Sequence, residues 1–513
     1  MDVLTWGLVV LALSLAACQS LPVQEGRIPT TALRDTLNTY WGRYFSEQIH
    51  SDSGESGFYP LQSGTDAFVA RLESVRRAEK SLDVQYYIWN DDMTGKMLWK
   101  EILAAADRGV RVRLLLDDLH IGPYQDTLVV LDSHPNIEVR MFNPFTYREW
   151  RFLDVFRFSQ INRRMHGKSL IADNQTAIIG GRNIGNEYFT ASPESNFGDF
   201  DVWCFGPVVD ESSQAFDLYW NHRLSVGISS LYRRTLAPDA LQALRNDLET
   251  FTSGPEPAEY IKELQETRLQ KELRKGKIEA YWGRAKIFSD PPEKLNAAKT
   301  GEQVTMLNQV TALPIPAQKE IFIVSPYFIP GKRGVEYFKR KSEQGVKVTV
   351  FTNSLASNDV PLVFAGYKKY RKGLLKAGVQ IFEMRPKANP NGKKPKRPSI
   401  SSGARLGLHG KAYVFDRRFM FVGSMNLDPR SVELNSELGV LFESPELAEK
   451  FVSITERELP DVAYQVSMDK EGKIQWITRE GDKPTVLTKE PEASFWKSFK
   501  SSFLSLFIPE SML

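Results

Sequence analysis

The stretch Met165–Asn183, MHGKSLIADNQTAIIGGRN, decides the fold of this chain because it occurs twice. Its second copy, Leu408–Asn426, reads LHGKAYVFDRRFMFVGSMN. In both copies a His precedes a Lys by two residues, an Asp follows five residues after the Lys, and a Gly-containing turn with an Asn closes the block. A repeat that keeps all these polar positions predicts two related halves that share one site.

The repeated polar residues have the chemistry of a phosphodiester site. Residues two apart in a strand point to the same face, so each His should project together with its Lys. If the copies face each other, the lysines and amides neutralise the phosphoryl oxygens, one His attacks phosphorus and the other protonates the leaving oxygen. The candidate catalytic residues are His166, Lys168, Asp173, His409, Lys411 and Asp416, and the candidate phosphate-binding residues are Asn183 and Asn426.

Within this set we expect a structural role for Asp173 and Asp416, since five residues along a strand carry each of them far from its Lys. A small residue, Gly167 or Gly410, lies between each His and Lys, where only a slim backbone fits against a neighbour. An unperturbed His pKa of about 6.5 allows one ring to be neutral and the other cationic near neutrality.

The duplicated motif resembles that of the phospholipase D superfamily, and further segments are similar to bacterial cardiolipin synthases, in particular the C type. These segments include DVQYYIWNDDMTG (83–95), RGVRVRLLLDD (108–118), TNSLASNDV (352–360) and LNSELG (434–439). The resemblance implies a phosphohistidine intermediate formed without metal or cofactor, and transfer of a phosphatidyl group onto phosphatidylglycerol. Phosphatidylglycerol or phosphatidylethanolamine is the implied donor. The family also places an acidic residue beyond each Asn to orient a His, which maps to Glu437 and to Asp201.

Several alternatives remain open at this stage. With water as the acceptor, the same phosphohistidine intermediate would release phosphatidic acid, and the enzyme would be a hydrolase. By resemblance the N-terminal His is more often the nucleophile, but the motif itself is symmetric. A nuclease is disfavoured by the mild net charge of +3, and we expect no nucleic-acid partner. A non-catalytic scaffold is disfavoured by two intact motifs, while an accessory protein and the oligomeric state stay undetermined.

The chain length of 513 residues predicts two domains. Strands and helices alternate in both halves, which predicts an α/β fold of two lobes, each a mixed sheet flanked by helices, related by pseudo-twofold symmetry with the active site between them. No Cys and His residues have zinc-finger spacing, so no metal site is expected. The predicted organisation is a signal (1–18), a linker with a helix (19–57), the first lobe (58–223), a solvated helical connector (224–279), the second lobe (280–457) and a tail (458–513).

Both chain ends indicate contact with a membrane. The apolar run Leu4–Ala17 is too short for a typical transmembrane helix and fits an export signal, although Met1-Asp2 lacks the usual basic residue. The tetrad ending at Cys18 resembles a lipobox and implies lipidation of Cys18, with a periplasm-facing position in the bacterial envelope, the outer membrane included. An uncleaved anchor is the alternative. At the other end, Ser494–Ile508 has aromatic residues at helical spacing and fits either an interfacial helix or a core helix.

Four further groups have two interpretations each. Two acidic residues after a strand fit a metal pair or, preferably, a capping or solvated turn. Two arginines before the first motif fit lipid phosphate or solvent. A basic loop (387–397) before the second motif fits headgroup capture or simple solvation. An Asp and an Arg after the second motif fit the acceptor side of the site or, preferably, a salt bridge. In the order given, the four groups are Asp117-Asp118; Arg163-Arg164; Lys387, Lys393, Lys394, Lys396 and Arg397; and Asp428 with Arg430.

Overall fold

The structure is a computed structural model that describes residues 27–48, 54–148, 151–232, 234–296, 305–312, 317–386, 405–480 and 483–492. The predicted signal with Cys18, the basic loop and the predicted C-terminal amphipathic helix lie outside these residues. In the part that is described, no helix has the length and apolar character needed to cross a membrane.

The first half forms one mixed sheet. Its strands are β1 (Ser56–Leu61), β2 (Ser81–Tyr86), β3 (Arg111–Asp117), β4 (Ile137–Phe142), β5 (Ser169–Ala172), β6 (Thr176–Gly180), β7 (Ser195–Gly198), β8 (Asp201–Phe205), β9 (Ser225–Gly227) and β10 (Tyr281–Gly283). Strand β7 lies outside this sheet, and the other strands are ordered β10-β1-β8-β6-β5-β2-β3-β4-β9. The strands β2, β3 and β4 run parallel, while the other neighbours are antiparallel.

The second half repeats this sheet. Its strands are β11 (Ala285–Ser289), β12 (Glu320–Val324), β13 (Lys347–Asn353), β14 (Gln380–Met384), β15 (Arg405–Leu408), β16 (Ala412–Phe415), β17 (Phe419–Gly423), β18 (Leu438–Glu443), β19 (Ala463–Met468), β20 (Ile474–Glu480) and β21 (Lys483–Leu487). Strand β15 lies outside this sheet, and the other strands are ordered β11-β18-β17-β16-β12-β13-β14-β19-β20-β21. From β11 to β19 this order corresponds, strand by strand, to the order from β1 to β9 in the first sheet. The predicted pair of pseudo-symmetric α/β lobes is therefore confirmed.

Helices cover both sheets. In the first half and the connector they are α1 (Tyr40–Ser46), α2 (Gly64–Arg76), α3 (Met93–Asp107), α4 (Gln125–Asp132), α5 (Phe158–Ile161), α6 (Val208–Trp220), α7 (Ile228–Leu231), α8 (Ala240–Thr252), α9 (Pro255–Gln265) and α10 (Arg268–Arg274). In the second half they are α11 (Met306–Thr311), α12 (Gly331–Glu343), α13 (Pro361–Lys376), α14 (Pro429–Glu433) and α15 (Pro445–Val462). Short 3-10 turns span Gly122–Tyr124, Arg151–Arg157, Asn186–Tyr188 and Pro292–Leu295.

The two halves are joined by both backbone and side chains. Strands β7 and β15 pair in parallel across the boundary, with Leu406 opposite Asn196. One apolar core cluster contains residues of both sheets, and within it the rings of Phe58 and Phe442 stack with centroids 4.4 Å apart. This shared core fixes the two copies of the motif relative to each other, as the site requires.

The connector is not the solvated bridge that its charge predicted. Helices α8, α9 and α10 pack on α2 and α3 of the first lobe, and Tyr260 donates a hydrogen bond to the carbonyl of Phe189 at 2.6 Å. Their buried residues recur at helical spacing: Leu248, Tyr260, Leu264, Leu269 and Leu273. In the sequence, many charged residues separate these few apolar positions, so the apolar face of the connector helices was not recognised. At the other end, β19, β20 and β21, from the stretch we expected to be tail, extend the second sheet.

Candidate active site

Each motif His is held by the backbone of the opposite half. His166 lies just before β5, and its amide donates to the carbonyl of Ser436 at 2.8 Å. His409 lies just after β15, and its amide donates to the carbonyl of Gly198 at 2.8 Å. Because these bonds cross the boundary between the lobes, the position of each ring depends on the docking of both halves.

The carboxylates that orient the imidazoles are also exchanged between the halves. His166 Nδ1 lies 2.8 Å from Glu437 Oε2, and His409 Nδ1 lies 2.6 Å from Asp199 Oδ2. All four side chains are buried. With Nδ1 engaged, Nε2 is the ring nitrogen that each His presents to a substrate.

The structure corrects the prediction for Asp201. Its carboxylate lies 2.9 Å from Arg71 Nη2 and 3.3 Å from Arg182 Nη1, and the residue that orients a His is Asp199. The sheet register explains the error. Asp201 pairs with Gly180 as Gly439 pairs with Gly423, so Asp199 is the true counterpart of Glu437.

A glycine makes room for the residue that the sequence analysis missed. A Cβ on Gly181 would lie 2.3 Å from Asp199 Oδ1, a distance that real contacts do not reach. The corresponding residue of the second motif is Ser424, whose hydroxyl donates to Glu437 Oε2. The signal that distinguishes Asp199 from Asp201 is the register of the strands that follow the motifs, which the structure supplies.

We expect Asp201→Asn to destabilise the fold rather than to change the chemistry. The variant leaves the buried Arg71 guanidinium without its full counter-charge, a loss of about 3 kcal/mol in the free energy of unfolding. Denaturant unfolding of the variant and the wild type measures this difference. Equal stability would show that the Asp201–Arg71 pair has no structural role.

The motif lysines and asparagines surround the two rings. Lys168 Nζ donates to the carbonyl of His166, and Lys411 Nζ donates to the carbonyl of His409. Lys411 Nζ also lies 3.2 Å from His409 Nε2. Asn183 Nδ2 donates to the hydroxyl of Tyr188 at 3.0 Å. The ammonium groups therefore stand where the charge of a bound phosphate would be neutralised.

The motif aspartates lie away from this pocket and contact backbone. Asp173 accepts hydrogen bonds from the amides of residues 79, 80 and 81 at the start of β2. Asp416 accepts from the amides of residues 318, 319 and 320 at the start of β12. Both residues have positive φ, 54° and 53°, in the turn after the motif strand. They tie each motif hairpin to its neighbouring strand, which is a structural role.

A pocket of about 430 Å³ opens over the two histidines. Aromatic residues that the sequence analysis did not assign frame the rings: Tyr87 contacts His166 edge-on with centroids 5.0 Å apart, and Tyr188 contacts His409 at 5.1 Å. The pocket is lined by Tyr87, Ile88, His120, His166, Asn183, Tyr188, Tyr327, Asp359, Val360, Leu362, Val363, His409, Asn426, Asp428, Arg430, Ser431 and Asn435. Among the described residues, no group of three or more His, Cys, Asp or Glu side chains is placed to hold a metal ion.

The acidic pair at the end of β3 neither caps a helix nor faces solvent. Asp117 is buried, accepts from the amide of Met165 at 3.0 Å and lies 3.2 Å from Arg164 Nη1. Asp118 is buried and pairs with Arg148. The pair thus anchors the chain that leads into His166. The sequence hid this role because the partners follow only after a long loop.

The residues after the second motif make no pair with each other among the described contacts. Arg430 donates to the side chain and the carbonyl of Asn162 at 2.8 and 2.9 Å. Asp428 accepts from the amide of Ser431 at 2.7 Å and so caps α14. Both residues line the pocket, which agrees with the acceptor-side interpretation.

Burial and the neighbouring charges shift the pKa values of the two histidines to different extents. Burial, followed by the charges of Lys168, Lys411 and other cations, lowers the pKa of His166 well below its usual value. Burial also lowers the pKa of His409, but the carboxylate of Asp199 opposes the shift. Although burial works against it, the charges of His409 and Lys411 hold the pKa of Asp199 below its usual range. His166 is therefore the imidazole that is more readily neutral.

Comparison with known proteins gives consistent matches. The family described as cardiolipin synthase, PLD-like domain, matches residues 72–220 and 315–459. The chain is 38% identical to cardiolipin synthase C of Escherichia coli strain K12 over 90% of this chain and 97% of that protein. It is 24% identical to cardiolipin synthase B of the same strain over 74% and 75% of the two chains. The solved phosphatidylserine synthase of Haemophilus influenzae has a TM-score of 0.51 at 16% identity, over 84% of this chain and 92% of that one, which shows a common fold.

Proposed function

This chain belongs to the cardiolipin synthase family of phospholipase D-like proteins, and we propose that it transfers a phosphatidyl group onto phosphatidylglycerol through a phosphohistidine intermediate. The observation that carries the proposal is the pair of histidines in one pocket, each oriented by a carboxylate of the opposite half. Such a pair supplies the nucleophile and the proton donor that the reaction needs.

The proposed reaction has two displacements at phosphorus. In the first, His166 Nε2 forms a bond to phosphorus, the bond from phosphorus to the donor headgroup oxygen breaks, and His409 protonates that oxygen. In the second, His409 takes the proton of the acceptor hydroxyl as its oxygen bonds to phosphorus and the bond to His166 breaks. Cardiolipin leaves, and both imidazoles return to their starting states.

The lysines and amides act on the phosphoryl oxygens. Lys168 and Lys411 are buried, so their charges act in a medium of low effective dielectric, where they stabilise the trigonal-bipyramidal transition state strongly. Their ammonium groups are fixed by the carbonyls of their own histidines, so they need no reorganisation during the reaction. The Nδ2 groups of Asn183 and Asn426, each with two N–H donors, are assigned to the same oxygens.

Product analysis tests the proposal. The purified protein is given vesicles of phosphatidylglycerol, with and without phosphatidylethanolamine, and the lipids are separated by mass. We expect cardiolipin, and the dependence on phosphatidylethanolamine identifies the donor, for which we propose phosphatidylglycerol with phosphatidylethanolamine as the alternative. Phosphatidic acid as the sole product would contradict the transferase and establish the hydrolase. Cardiolipin that forms only when a cell extract is added to the purified protein would reveal an accessory protein.

The charge of the reaction is carried by the protein's own cations, so we expect chelators to leave the activity within about twofold of its starting value. Cardiolipin formation is measured before and after dialysis against EDTA. An activity that EDTA abolishes and one added metal ion restores would overturn this mechanism.

We propose that an exposed aromatic turn beside the pocket contacts the membrane surface. Phe152 is 68% exposed and Phe158 is 47% exposed, in and next to the 3-10 turn Arg151–Arg157. The same segment continues to Asn162, which holds Arg430 of the pocket rim. Aromatic side chains flanked by arginines suit the interface of an anionic bilayer.

Vesicle sedimentation of the non-lipidated full chain, Cys18→Ser, tests this surface. We expect Phe152→Ser with Phe158→Ser to lower binding to phosphatidylglycerol vesicles by about tenfold, since each exposed ring loses its burial in the interface. The control is Leu218→Ser, an apolar residue of α6 that is 61% exposed. Equal losses in the control and the double variant would contradict a specific membrane-contacting turn.

The proposed location is the periplasmic side of the bacterial envelope, with Cys18 as a lipidated N-terminal residue and with the outer membrane as a permitted destination. The support is the apolar run that ends at Cys18 and the Gln19 that follows it. The mass of the mature N-terminal peptide tests this directly. A peptide that still begins at Met1 would contradict lipidation.

A further inference from the structure

The two motifs share their His, Lys, Asp and Asn positions, but the pocket that they form is not symmetric. Two aromatic rings, Phe197 and Tyr188, contact His409 with centroids 5.4 and 5.1 Å away, whereas Tyr87 contacts His166 at 5.0 Å. Phe197 precedes Asp199 by two residues. The residue two before Glu437 is Asn435, so the position that holds a phenyl ring in one half holds a polar amide in the other, and this amide lines the pocket.

A second difference follows the motif asparagines. Two residues after Asn183 the chain has Gly185, whereas two residues after Asn426 it has Asp428. Asn183 is satisfied at both ends of its amide, since its Oδ1 accepts from the amide of Ile88 at 3.2 Å. The Oδ1 atoms of Asn426 and Asn435 are buried, and no hydrogen-bond donor from the described residues reaches them.

These three residues give one wall of the pocket a surplus of acceptors. Asn426, Asp428 and Asn435 are all more than nine-tenths buried and all line the pocket. One oxygen of Asp428 accepts from the amide of Ser431. A phosphate offers oxygens alone, so it cannot satisfy these acceptors, and a buried acceptor without a donor is unfavourable. The group that these acceptors would bind is therefore a hydrogen-bond donor.

The charges around this wall favour a hydroxyl over an ammonium group. Arg430 lines the same pocket, and the ammonium groups of Lys168 and Lys411 stand beside the histidines. A cationic headgroup would be repelled by these three cations and attracted by Asp359, which also lines the pocket, whereas a neutral polyol would not be repelled. Two of the three acceptors are neutral amide oxygens, and burial raises the pKa of Asp428 to about 7, which reduces its charge at neutrality.

We propose that Asn426, Asp428 and Asn435 form a polyol site that binds the non-reacting hydroxyl of a glycerol headgroup and so selects the acceptor alcohol. This inference rests on the proposed function, because the selected alcohol is the one whose other hydroxyl attacks the phosphohistidine. The reacting hydroxyl gives its proton to His409, and its oxygen forms the new bond to phosphorus as the bond to His166 breaks.

Competition between soluble acceptors tests the polyol site. The full-length protein acts on phosphatidylglycerol vesicles in the presence of equal concentrations of glycerol, 1-propanol and ethanolamine, and the phosphatidyl products are quantified by mass. These alcohols are similar in size and differ in the group beside the reacting hydroxyl. To separate newly formed from pre-existing phosphatidylglycerol, the glycerol is deuterated. We expect the wild type to prefer glycerol over 1-propanol by about tenfold.

Two variants address the residues. Asn435→Leu and Asp428→Asn should bring the glycerol to 1-propanol ratio close to one, and Asn at position 428 retains the capping of α14. The product ratio is measured within each sample, so a lower amount of folded enzyme does not change it. The control Asn246→Leu, exposed on α8, keeps the ratio of the wild type.

The outcomes distinguish a failure of the polyol site from a failure of the proposed transferase function. Preference for ethanolamine, or a glycerol preference that survives both variants, overturns the polyol site while leaving the transferase intact if cardiolipin forms. Phosphatidyl alcohols without cardiolipin contradict the proposed function, and the ratio then still decides the polyol site. A wild type that forms no phosphatidyl alcohol at all overturns the polyol site directly.

Discussion

His166→Ala and His409→Ala are each expected to lower cardiolipin formation by about 10³-fold or more, since one removes the nucleophile and the other the proton donor. Each ring lies in the pocket with its Nδ1 held by a carboxylate of the other half, whereas His120, which also lines the pocket, has no such carboxylate among the described contacts. Vesicle assays with phosphatidylglycerol measure the loss.

The two histidines should also behave as one unit. We expect the double variant to be no slower than the slower single variant, because removing either partner already abolishes the covalent route. The matched control is His222→Ala, a partly buried histidine outside the pocket whose Nδ1 accepts from the amide of Leu224. A motif variant that keeps a tenth or more of the activity would contradict its assigned role.

The exchanged carboxylates give the second large effect. Asp199→Asn should reduce kcat by about 10²-fold, because the amide no longer stabilises the cationic form of His409 that acts as the acid. Burial already lowers the pKa of His409, and Asp199 opposes that shift. Removing its charge lets the pKa fall further, so His409 loses its proton at lower pH and the alkaline limb of the rate profile moves to lower pH.

The pH dependence of kcat/KM measures this shift and separates it from a structural defect. Asp201→Asn is the matched control, since its carboxylate is two residues away and pairs with Arg71 instead of a His. We expect the control to lose stability and to keep the wild-type profile. An Asp199→Asn profile that coincides with that of the wild type would show that the carboxylate does not act through His409.

The sequence predicted the fold and the core of the site because both depend on a repeated local pattern. The spacing of His, Lys, Asp and Asn is local, and the alternation of strands and helices is local, so two lobes and one shared pocket followed from them. Glu437 was also identified, through the resemblance of LNSELG to the family's segment with the orienting acidic residue.

What the sequence could not supply were partners set by long-range pairing. The choice between Asp199 and Asp201 depends on the register of β8 against β6, and nothing within NFGDFDV distinguishes the two carboxylates. The pairing of each carboxylate with the His of the opposite half depends on how the lobes dock. Tyr87 and Tyr188 similarly reach the pocket from loops whose direction is fixed by the fold.

The most direct test of the central claim is the identity of the phosphorylated residue. The protein is mixed briefly with phosphatidylglycerol labelled in its phosphate, quenched in base to preserve phosphohistidine, and digested for mass analysis. The account predicts the label on the peptide that contains His166, and none in the His166→Ala variant. A label on His409 would reverse the assigned roles, and a wild type that turns over without any labelled His would contradict the covalent mechanism.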